Sequence, residues 1–318
     1  MKFIFVLWFC WTLVLAQDIS PDRFYYRGMV GGEQWQLELN LNNQQLSGTT
    51  VHGGQTWFLE GNWAYEGPAR FSERSQEGDP GGLWLAKIST SSEDYAGTLT
   101  GTYDAGQAVP FSLNKVAEYV TSQLVQGRIS SMVSYPFFLD PTMFNDVVQS
   151  LALEEQQAFF IEGQNLEISG EMFNGWTQET RYQIQYAGEQ ILSLLGRRFV
   201  YTGGAHPNTD YVVTNVRIVD QEVLEINLDD LFQEADLPAL SQYVSQELEK
   251  QGAAWILDGS VALGKAELEL FTFSSSGFTF YFPPYSVGPY AQGTFEVLLP
   301  LETLQQLGFE TKLSSFIL

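Results

Sequence analysis

The stretch YTGGAHPNTDYVVTNVRIVDQEVLEINLDDLF, from Tyr201 to Phe232, decides how the second half of this chain folds. A strand ends near Thr202, and the two glycines that follow it allow positive φ and a sharp turn. The Val- and Ile-rich run at 211–219 predicts the next strand. The pattern therefore predicts a shaped turn that holds His206 at a fixed place beside a sheet.

Strands and helices flank this stretch on both sides. A strand is predicted near 129–135, followed by a helix that begins with Asp140 as N-cap and Pro141 in its first turn. A second helix begins at Asp236, with Gly252 as its stop signal. Further strands are predicted at 181–186, 190–201, 266–273, 278–282 and 293–299, with a last short helix before Gly308. This grouping predicts an α+β domain, a mainly antiparallel sheet with helices packed on one face.

The first third of the chain has a different pattern. From about 22 to 113, short runs rich in aromatic and β-branched residues are separated by Gly, Asn and Pro turns, which predicts antiparallel strands. About eight strands in this length predict a small closed barrel or a sandwich, with a spacing like that of lipocalins. The predicted organisation is a signal peptide at 1–16, an all-β domain at 17–114, a linker at 115–127 and the α+β domain at 128–318. Within the linker, 118–124 could form one or two helical turns.

Several aromatic residues of the β domain admit two interpretations. They could line a ligand cup or stack on sugar rings, but large aromatic side chains more often fill a small barrel's core. His52 is predicted in a hairpin turn, and a lone histidine is a poor metal ligand. The aromatic residues concerned are Trp57, Trp63, Tyr65, Trp84 and Tyr103.

The amino terminus has the pattern of a secretory signal. Lys2 precedes an apolar run too short to span a membrane, and Val14-Leu15-Ala16 fits a cleavage site. Cleavage would remove Cys10 and leave no cysteine, which excludes disulfides, thiolate metal sites and cysteine nucleophiles. We therefore expect a periplasmic or secreted protein without a membrane span after cleavage.

The chain is strongly acidic. It has 38 Asp and Glu residues against 15 Lys and Arg residues, a net charge of −23. Such a field repels nucleic acid and anionic membranes and favours basic partners or cations, although it could equally serve solubility. We expect no nucleic-acid partner.

Three motifs, TGGAHP (202–207), LDDLF (228–232) and FYFPPYSVGPYAQGTFEVLLPLETL (280–304), occur in an order that resembles one family. From Arg128 onward the chain is similar to the extracytoplasmic domain of RsiV-type anti-sigma factors, which senses lysozyme. The same domain of unknown function accompanies some peptidoglycan deacetylases. The resemblance implies recognition of lysozyme or of the cell wall. Because no sigma-binding segment or transmembrane helix precedes the domain here, we do not expect an anti-sigma factor.

The candidate binding residues come from these motifs. His206 could contact a ligand, act as a base or simply hold its turn by hydrogen bonds to the backbone, and the rigid loop after Pro283-Pro284 offers aromatic area for a protein or a glycan. Asp229 or Asp230 could orient His206 or bind a metal, and Tyr285 or Tyr290 could act as an acid. Alternatively, the acidic pair could lie on a strand and cap the next turn. The candidates are Thr202, Gly203, Gly204, His206, Asp229, Tyr285 and Tyr290. We assign no catalytic, cofactor or metal residue.

The sequence thus predicts an exported, non-enzymatic binding protein of the cell envelope. Its expected partner is a basic, lysozyme-like protein or a glycan derived from peptidoglycan. One alternative is a hydrolase or deacetylase accessory enzyme that uses His206 and Asp229. Another is a carrier of small ligands through the β domain.

Overall fold

The protein is described here from a computed structural model that covers residues 16–18, 23–53, 55–63, 68–89, 97–170 and 174–309. The predicted signal peptide, with Cys10, lies outside these ranges except for Ala16. The strands are β1 (Ala16–Asp18), β2 (Arg23–Val30), β3 (Glu33–Asn42), β4 (Gln45–His52), β5 (Gln55–Asn62), β6 (Ala69–Arg74), β7 (Pro80–Ser89), β8 (Thr98–Asp104), β9 (Ala108–Gln126), β10 (Ile129–Phe138), β11 (Trp176–Ala187), β12 (Ile191–Tyr201), β13 (Asn208–Val219), β14 (Glu222–Glu225), β15 (Phe271–Ser274), β16 (Gly277–Phe282) and β17 (Phe295–Pro300). The helices are α1 (Phe144–Ser169), α2 (Leu228–Leu231), α3 (Leu237–Lys250), α4 (Ala254–Leu257), α5 (Lys265–Leu268) and α6 (Leu301–Gln306).

Strands β2 to β9 form a closed antiparallel barrel of eight strands. Each strand pairs with the next, and β9 pairs with both β8 and β2 to close the ring. Alternate residues point inward, and Leu37, Leu39, Phe71 and Trp84 are all buried in its interior. The predicted barrel is confirmed.

Two glycines mark places where neighbouring strands come close together. A Cβ atom on Gly28 would lie 2.1 Å from the Ser112 carbonyl oxygen, and one on Gly48 would lie 1.9 Å from the Glu38 carbonyl oxygen. No side chain fits at either place, so glycine is required where the small barrel bends.

Strand β9 belongs to both halves of the protein. Its first half closes the barrel, while 117–126 pair with β10 in the second sheet. Residues 115–126, predicted as a linker, therefore lie in a continuous strand, and the helical turn predicted at 118–124 is wrong. Tyr119 and Val120 are neighbours in sequence and both are buried. Because both faces of β9 are covered here, the alternation that would have indicated a strand is lost.

The second sheet runs in the order β9, β10, β11, β12, β13, β14, and β10 and β11 pair in parallel. Helix α1 connects those two strands and packs on one face through Phe144 and Val148. It begins at Phe144 with Met143 as N-cap, so the predicted start at Asp140 and Pro141 is wrong by about one turn. Buried Gln156 donates from Nε2 to carbonyl oxygens of β9 and β10, at 3.0 Å each. This amide fixes the helix on the sheet.

The three-stranded sheet β15–β16–β17 packs on the other face. Ser193 accepts a bond from the Phe273 amide at 3.1 Å, and Asn215 donates to the Phe271 carbonyl at 2.8 Å. Ser193 also donates to Asn215 at 2.7 Å. These buried polar groups satisfy one another and align the small sheet on β12 and β13.

Several predicted elements around the small sheet can be compared directly. Helix α3 begins at Leu237 after Asp236 and buries one face, as predicted. The strand predicted at 266–273 begins only at Phe271, because 265–268 form helix α5. The last short helix ends before Gly308, as predicted.

The barrel and the second sheet meet at an ion pair between buried Glu38 and partly buried Arg23. Arg23 Nε donates to Glu38 at 2.8 Å and Arg23 Nη1 donates to the Tyr182 carbonyl of β11 at 3.1 Å. Tyr119 donates to the other Glu38 oxygen at 3.0 Å. Burial raises the pKa of the Tyr119 hydroxyl well above its usual value, so it keeps its proton. Glu38 therefore joins donors from β2 and β9.

Replacing Glu38 with leucine tests this junction. Glu38→Leu leaves the Arg23 guanidinium and the Tyr119 hydroxyl without their acceptor, so we expect a loss of about 3 kcal/mol in the free energy of unfolding. The matched variant Glu60→Leu replaces an exposed residue on β5. It should change the free energy of unfolding by less than about 0.5 kcal/mol. Urea unfolding measures both values. Equal losses in the two variants would contradict the proposed importance of the ion pair.

Candidate functional site

The loop between β12 and β13 carries the first group of predicted site residues. Gly203 adopts φ +87°, so the positive φ predicted for this turn is observed at that residue. Asn174 Nδ2 donates to the Gly203 carbonyl at 3.2 Å, which ties the loop to the segment before β11. Thr202, Gly204 and His206 are exposed and line one cleft.

His206 lies at the end of this loop, and its ring is part of a row of aromatic rings. Its Nδ1 lies 2.9 Å from the Pro207 carbonyl oxygen, which can only accept, so Nδ1 carries the proton. The imidazole stacks on Tyr290 with ring centroids 3.9 Å apart, and the Tyr290 hydroxyl donates to the same carbonyl at 2.7 Å. Tyr285 extends the row, 5.7 Å from Tyr290. We call His206, Tyr290 and Tyr285 the aromatic row.

The aromatic row is held by backbone geometry and remains accessible. Tyr285 adopts φ +71° and its side chain is 54% exposed. The Ser286 amide and hydroxyl both donate to the Pro283 carbonyl, at 3.1 and 2.5 Å. A rigid loop loses little conformational entropy when it contacts a partner. The arrangement suits recognition.

Asp229 does not join this group. It lies on the one-turn helix α2, lines a separate cleft and pairs with Lys265. The idea that the acidic pair lies on a strand is wrong. Asp230 caps the start of its own helix rather than the following turn, because its carboxylate accepts from the Asn227 amide at 3.0 Å.

The cleft beside His206 contains charges that the sequence motifs did not reveal. It has a volume of about 570 Å³ and includes Glu155 and Glu162 from α1 and Asp210 from β13. We call it the acidic cleft. Arg198 bridges two of these carboxylates, bonding to Glu155 and, at 2.6 Å, to Asp210. Burial opposes the charge of Arg198, but its bonds to the two carboxylates outweigh that effect and raise its pKa.

An aromatic pair lies in the same cleft. The rings of Phe159 and Trp176 are 5.6 Å apart and tilted by 39°. Aromatic area beside carboxylates suits a ligand with both apolar and positively charged or hydroxylated groups. The residues come from α1, β11 and β13, so only the folded chain brings them together.

The barrel holds a second histidine in a different setting. His52 lies between Trp35, at 3.7 Å between ring centroids, and Trp57, at 5.4 Å. Its Nε2 is 3.2 Å from both oxygens of Glu73, a carboxylate with no exposed surface. Glu73 also accepts from the Trp84 indole at 2.9 Å and the Tyr103 hydroxyl at 2.8 Å. Burial, and then the bond to Glu73, raise the pKa of Tyr103.

These contacts decide between the two interpretations of the barrel aromatics. Trp84 is fully buried and Tyr103 nearly so, which confirms core packing for these two residues. Trp57 and Trp63 are partly buried, and Tyr65 lies outside the described residues. In the part of the chain that the structure covers, no group of three or more His, Cys, Asp or Glu side chains is arranged to hold a metal ion. In the same residues, no helix has the length and apolarity needed to cross a membrane.

The segment that carries Tyr285 and Tyr290 matches the model of a known family. The match covers 229–302, with the description "Protein of unknown function (DUF3298)". Residues 229–302 form a DUF3298 domain. This domain contains Asp229, Tyr285 and Tyr290, whereas Thr202 to His206 precede it. Among curated proteins, no sequence matches this chain significantly.

Two crystal structures of DUF3298 family proteins resemble the chain. One, from Pseudomonas aeruginosa PAO1, is 18% identical to this chain. The alignment covers 60% of this chain and 94% of the other, with a TM-score of 0.41. The other, from Bacteroides fragilis, is 16% identical to this chain. The alignment covers 69% of this chain and 92% of the other, with a TM-score of 0.38.

The two histidines should differ in their effect on stability. His52→Ala removes a stacked ring and a donor to buried Glu73, so we expect a loss of about 2 kcal/mol in the free energy of unfolding. His206→Ala removes an exposed ring and should cost less than about 0.5 kcal/mol. Urea denaturation followed by tryptophan fluorescence measures both. A larger loss for His206→Ala would make that histidine structural and contradict its place in a recognition surface.

Proposed function

We propose that this chain is an exported, non-enzymatic binding protein of the cell envelope that recognises a basic, wall-directed protein such as lysozyme. The observation that carries the proposal is the aromatic row beside the acidic cleft. Exposed aromatic rings supply contact area, and adjacent carboxylates supply complementary charge for Lys and Arg side chains. The net charge of −23 adds attraction at longer range.

The resemblance to RsiV-type ectodomains supports this partner. Two of the three motifs behind that resemblance provide the row, because His206 lies in TGGAHP and the two tyrosines lie in the FPPY loop. The predicted signal peptide supports a location where lysozyme would be met. The DUF3298 domain adds no ligand of its own, since its description records an unknown function.

The enzymatic alternative has less support. A hydrolase or deacetylase accessory role needs His206 and Asp229 to act on one substrate, yet they line separate clefts. The Nδ1 of His206 is occupied by a backbone carbonyl rather than by an orienting carboxylate.

A glycan derived from peptidoglycan is the second candidate partner. The Phe159 and Trp176 rings in the acidic cleft favour it, because sugar rings stack on aromatic faces while carboxylates accept from their hydroxyl groups. Titration with soluble peptidoglycan fragments tests it. Binding that Trp176→Ala abolishes supports this candidate, whereas failure to bind rejects it.

Calorimetric titration with a c-type lysozyme tests the principal proposal. We expect saturable one-to-one binding at about 150 mM salt, where long-range attraction is screened. Tyr285→Ala should weaken binding by at least about tenfold because the row loses its most exposed ring. Leu83→Ala, with the same 54% exposure on barrel strand β7, should leave it unchanged.

Bulk charge is the explanation that this experiment must separate from shape recognition. An unrelated protein of equal positive charge serves as the control. If it binds as well as lysozyme, or if the lysozyme signal vanishes at moderate salt, the proposal is wrong. Equal weakening by Tyr285→Ala and Leu83→Ala would reject the aromatic row as the contact surface.

A further inference from the structure

The groove between the barrel and the second sheet is lined by more basic than acidic side chains, unlike the protein as a whole. It has a volume of about 810 Å³ and is lined by Arg23, Arg181 and Arg197. Glu38 is the one acidic residue among its lining side chains, and it is engaged by Arg23 and Tyr119. Three of the chain's 15 basic residues therefore line one groove in a protein of net charge −23. We call it the arginine groove.

Two of these arginines face each other across a strand pair. Arg181 on β11 and Arg197 on β12 are direct partners in the antiparallel register. Like charges in that position repel and destabilise a sheet unless an anion lies between them. Both side chains are accessible, at 66% and 49% exposure. The pair is thus placed to share one anionic group.

Each of these two arginines already contacts a carboxylate of the protein, but both arginines can still bind a ligand. Arg181 bonds to Glu179, and Arg197 lies 2.8 Å from Glu296. Both partners are about one third exposed, and exposed ion pairs contribute little to stability. A ligand carboxylate can therefore replace or join these contacts at small cost. Two guanidinium groups suit a carboxylate because each offers parallel N–H donors.

The rest of the groove indicates what carries the anionic group. Phe58 presents a ring that is 48% exposed, which offers one apolar face. Most other lining side chains end in hydroxyl or amide groups, which match the hydroxyl groups of a sugar. These polar residues include Asn40, Ser47, Thr49, Ser134 and Gln183.

We infer that the arginine groove binds an acidic oligosaccharide, a chain of sugar rings bearing carboxylates. Arg181 and Arg197 hold one carboxylate, Phe58 stacks on a ring, and the hydroxyl and amide side chains bond to its hydroxyl groups. The site is separate from the acidic cleft. Arg197 points into the groove, whereas its neighbour Arg198 points to the opposite face, toward α1. The inference therefore does not depend on recognition of a basic protein.

Calorimetry with trigalacturonate as the probe tests the inference. At about 150 mM salt, where repulsion from the distant carboxylates is screened, we expect saturable binding to the full chain. The double variant Arg181→Gln with Arg197→Gln should weaken it by at least about tenfold. The double variant Lys87→Gln with Lys250→Gln removes the same charge from exposed sites elsewhere, and we expect binding within about twofold of the original.

Two further probes fix the class of ligand. Maltotriose has the sugar rings without carboxylates, and triglutamate has carboxylates without sugar rings, so we expect neither to bind at concentrations that saturate with trigalacturonate. No binding of trigalacturonate would overturn the inference. Equal weakening in the two double variants would also overturn it, because it would reduce the effect to net charge. Triglutamate binding as tightly as trigalacturonate would overturn the assignment to a sugar.

Phe58→Ala keeps the test decisive if the arginine variant fails to fold. This ring is half exposed and contributes little to the core, so the variant should remain folded. We expect it to weaken trigalacturonate binding by about fivefold or more through loss of stacking. Unchanged binding in a folded Phe58→Ala variant would contradict the proposed placement of the sugar.

Discussion

One strand, β9, belongs both to the closed barrel and to the open second sheet, and the rest of the architecture depends on it. Its first half completes the barrel and its second half begins the sheet that carries α1. A strand paired on both edges cannot shift in register without breaking both sets of bonds. The barrel wall next to β9 is therefore covered by the second sheet, and Glu38, which points out of the barrel, is buried. Its bonds to Arg23 and Tyr119 satisfy a charge that the shared strand has removed from water.

The same sheet separates two surfaces of opposite character. Successive residues of β12 point to opposite faces, so Arg198 joins the carboxylates beneath α1 and Arg197 joins the arginine groove. The three-stranded sheet covers part of the second face, and the connection between β16 and β17 carries Tyr290 of the aromatic row. The position of the row thus follows from the polar bonds of Ser193 and Asn215, which align that sheet on β12 and β13. The proposed recognition surface, held in this way, would need no large rearrangement before it meets a partner.

Much of the fold could be predicted because local patterns and tertiary environment agree. Period-two alternation and turn residues predicted the barrel, and Asp236 with its apolar spacing predicted α3. The prediction failed at β9, where burial on both faces removes the alternation, and at the start of α1. For the site, the motif residues His206, Tyr285 and Tyr290 lie together in the row, whereas Asp229 lies in a separate cleft. No local pattern could pair His206 with Glu155, since α1 and the loop after β12 meet only in the folded chain. The position of Glu73 was visible in the sequence pattern, because it follows Ala69 and Phe71 at alternate positions of β6, which point into the barrel.

The acidic residues have different roles, which depend on whether they are buried or exposed. Glu38 and Glu73 are buried, and each is surrounded by fixed donors, so they contribute to structure rather than to attraction of a partner. In the acidic cleft, Glu162 is exposed and Asp210 is partly exposed beside aromatic rings, where a cationic side chain can be desolvated against them. For the proposed basic partner, the long-range field of all the acids would speed encounter and fade with salt, whereas contacts at the aromatic row would persist. Net charge and local geometry therefore act at different distances, and in the proposed function the geometry would determine which basic protein is retained after encounter.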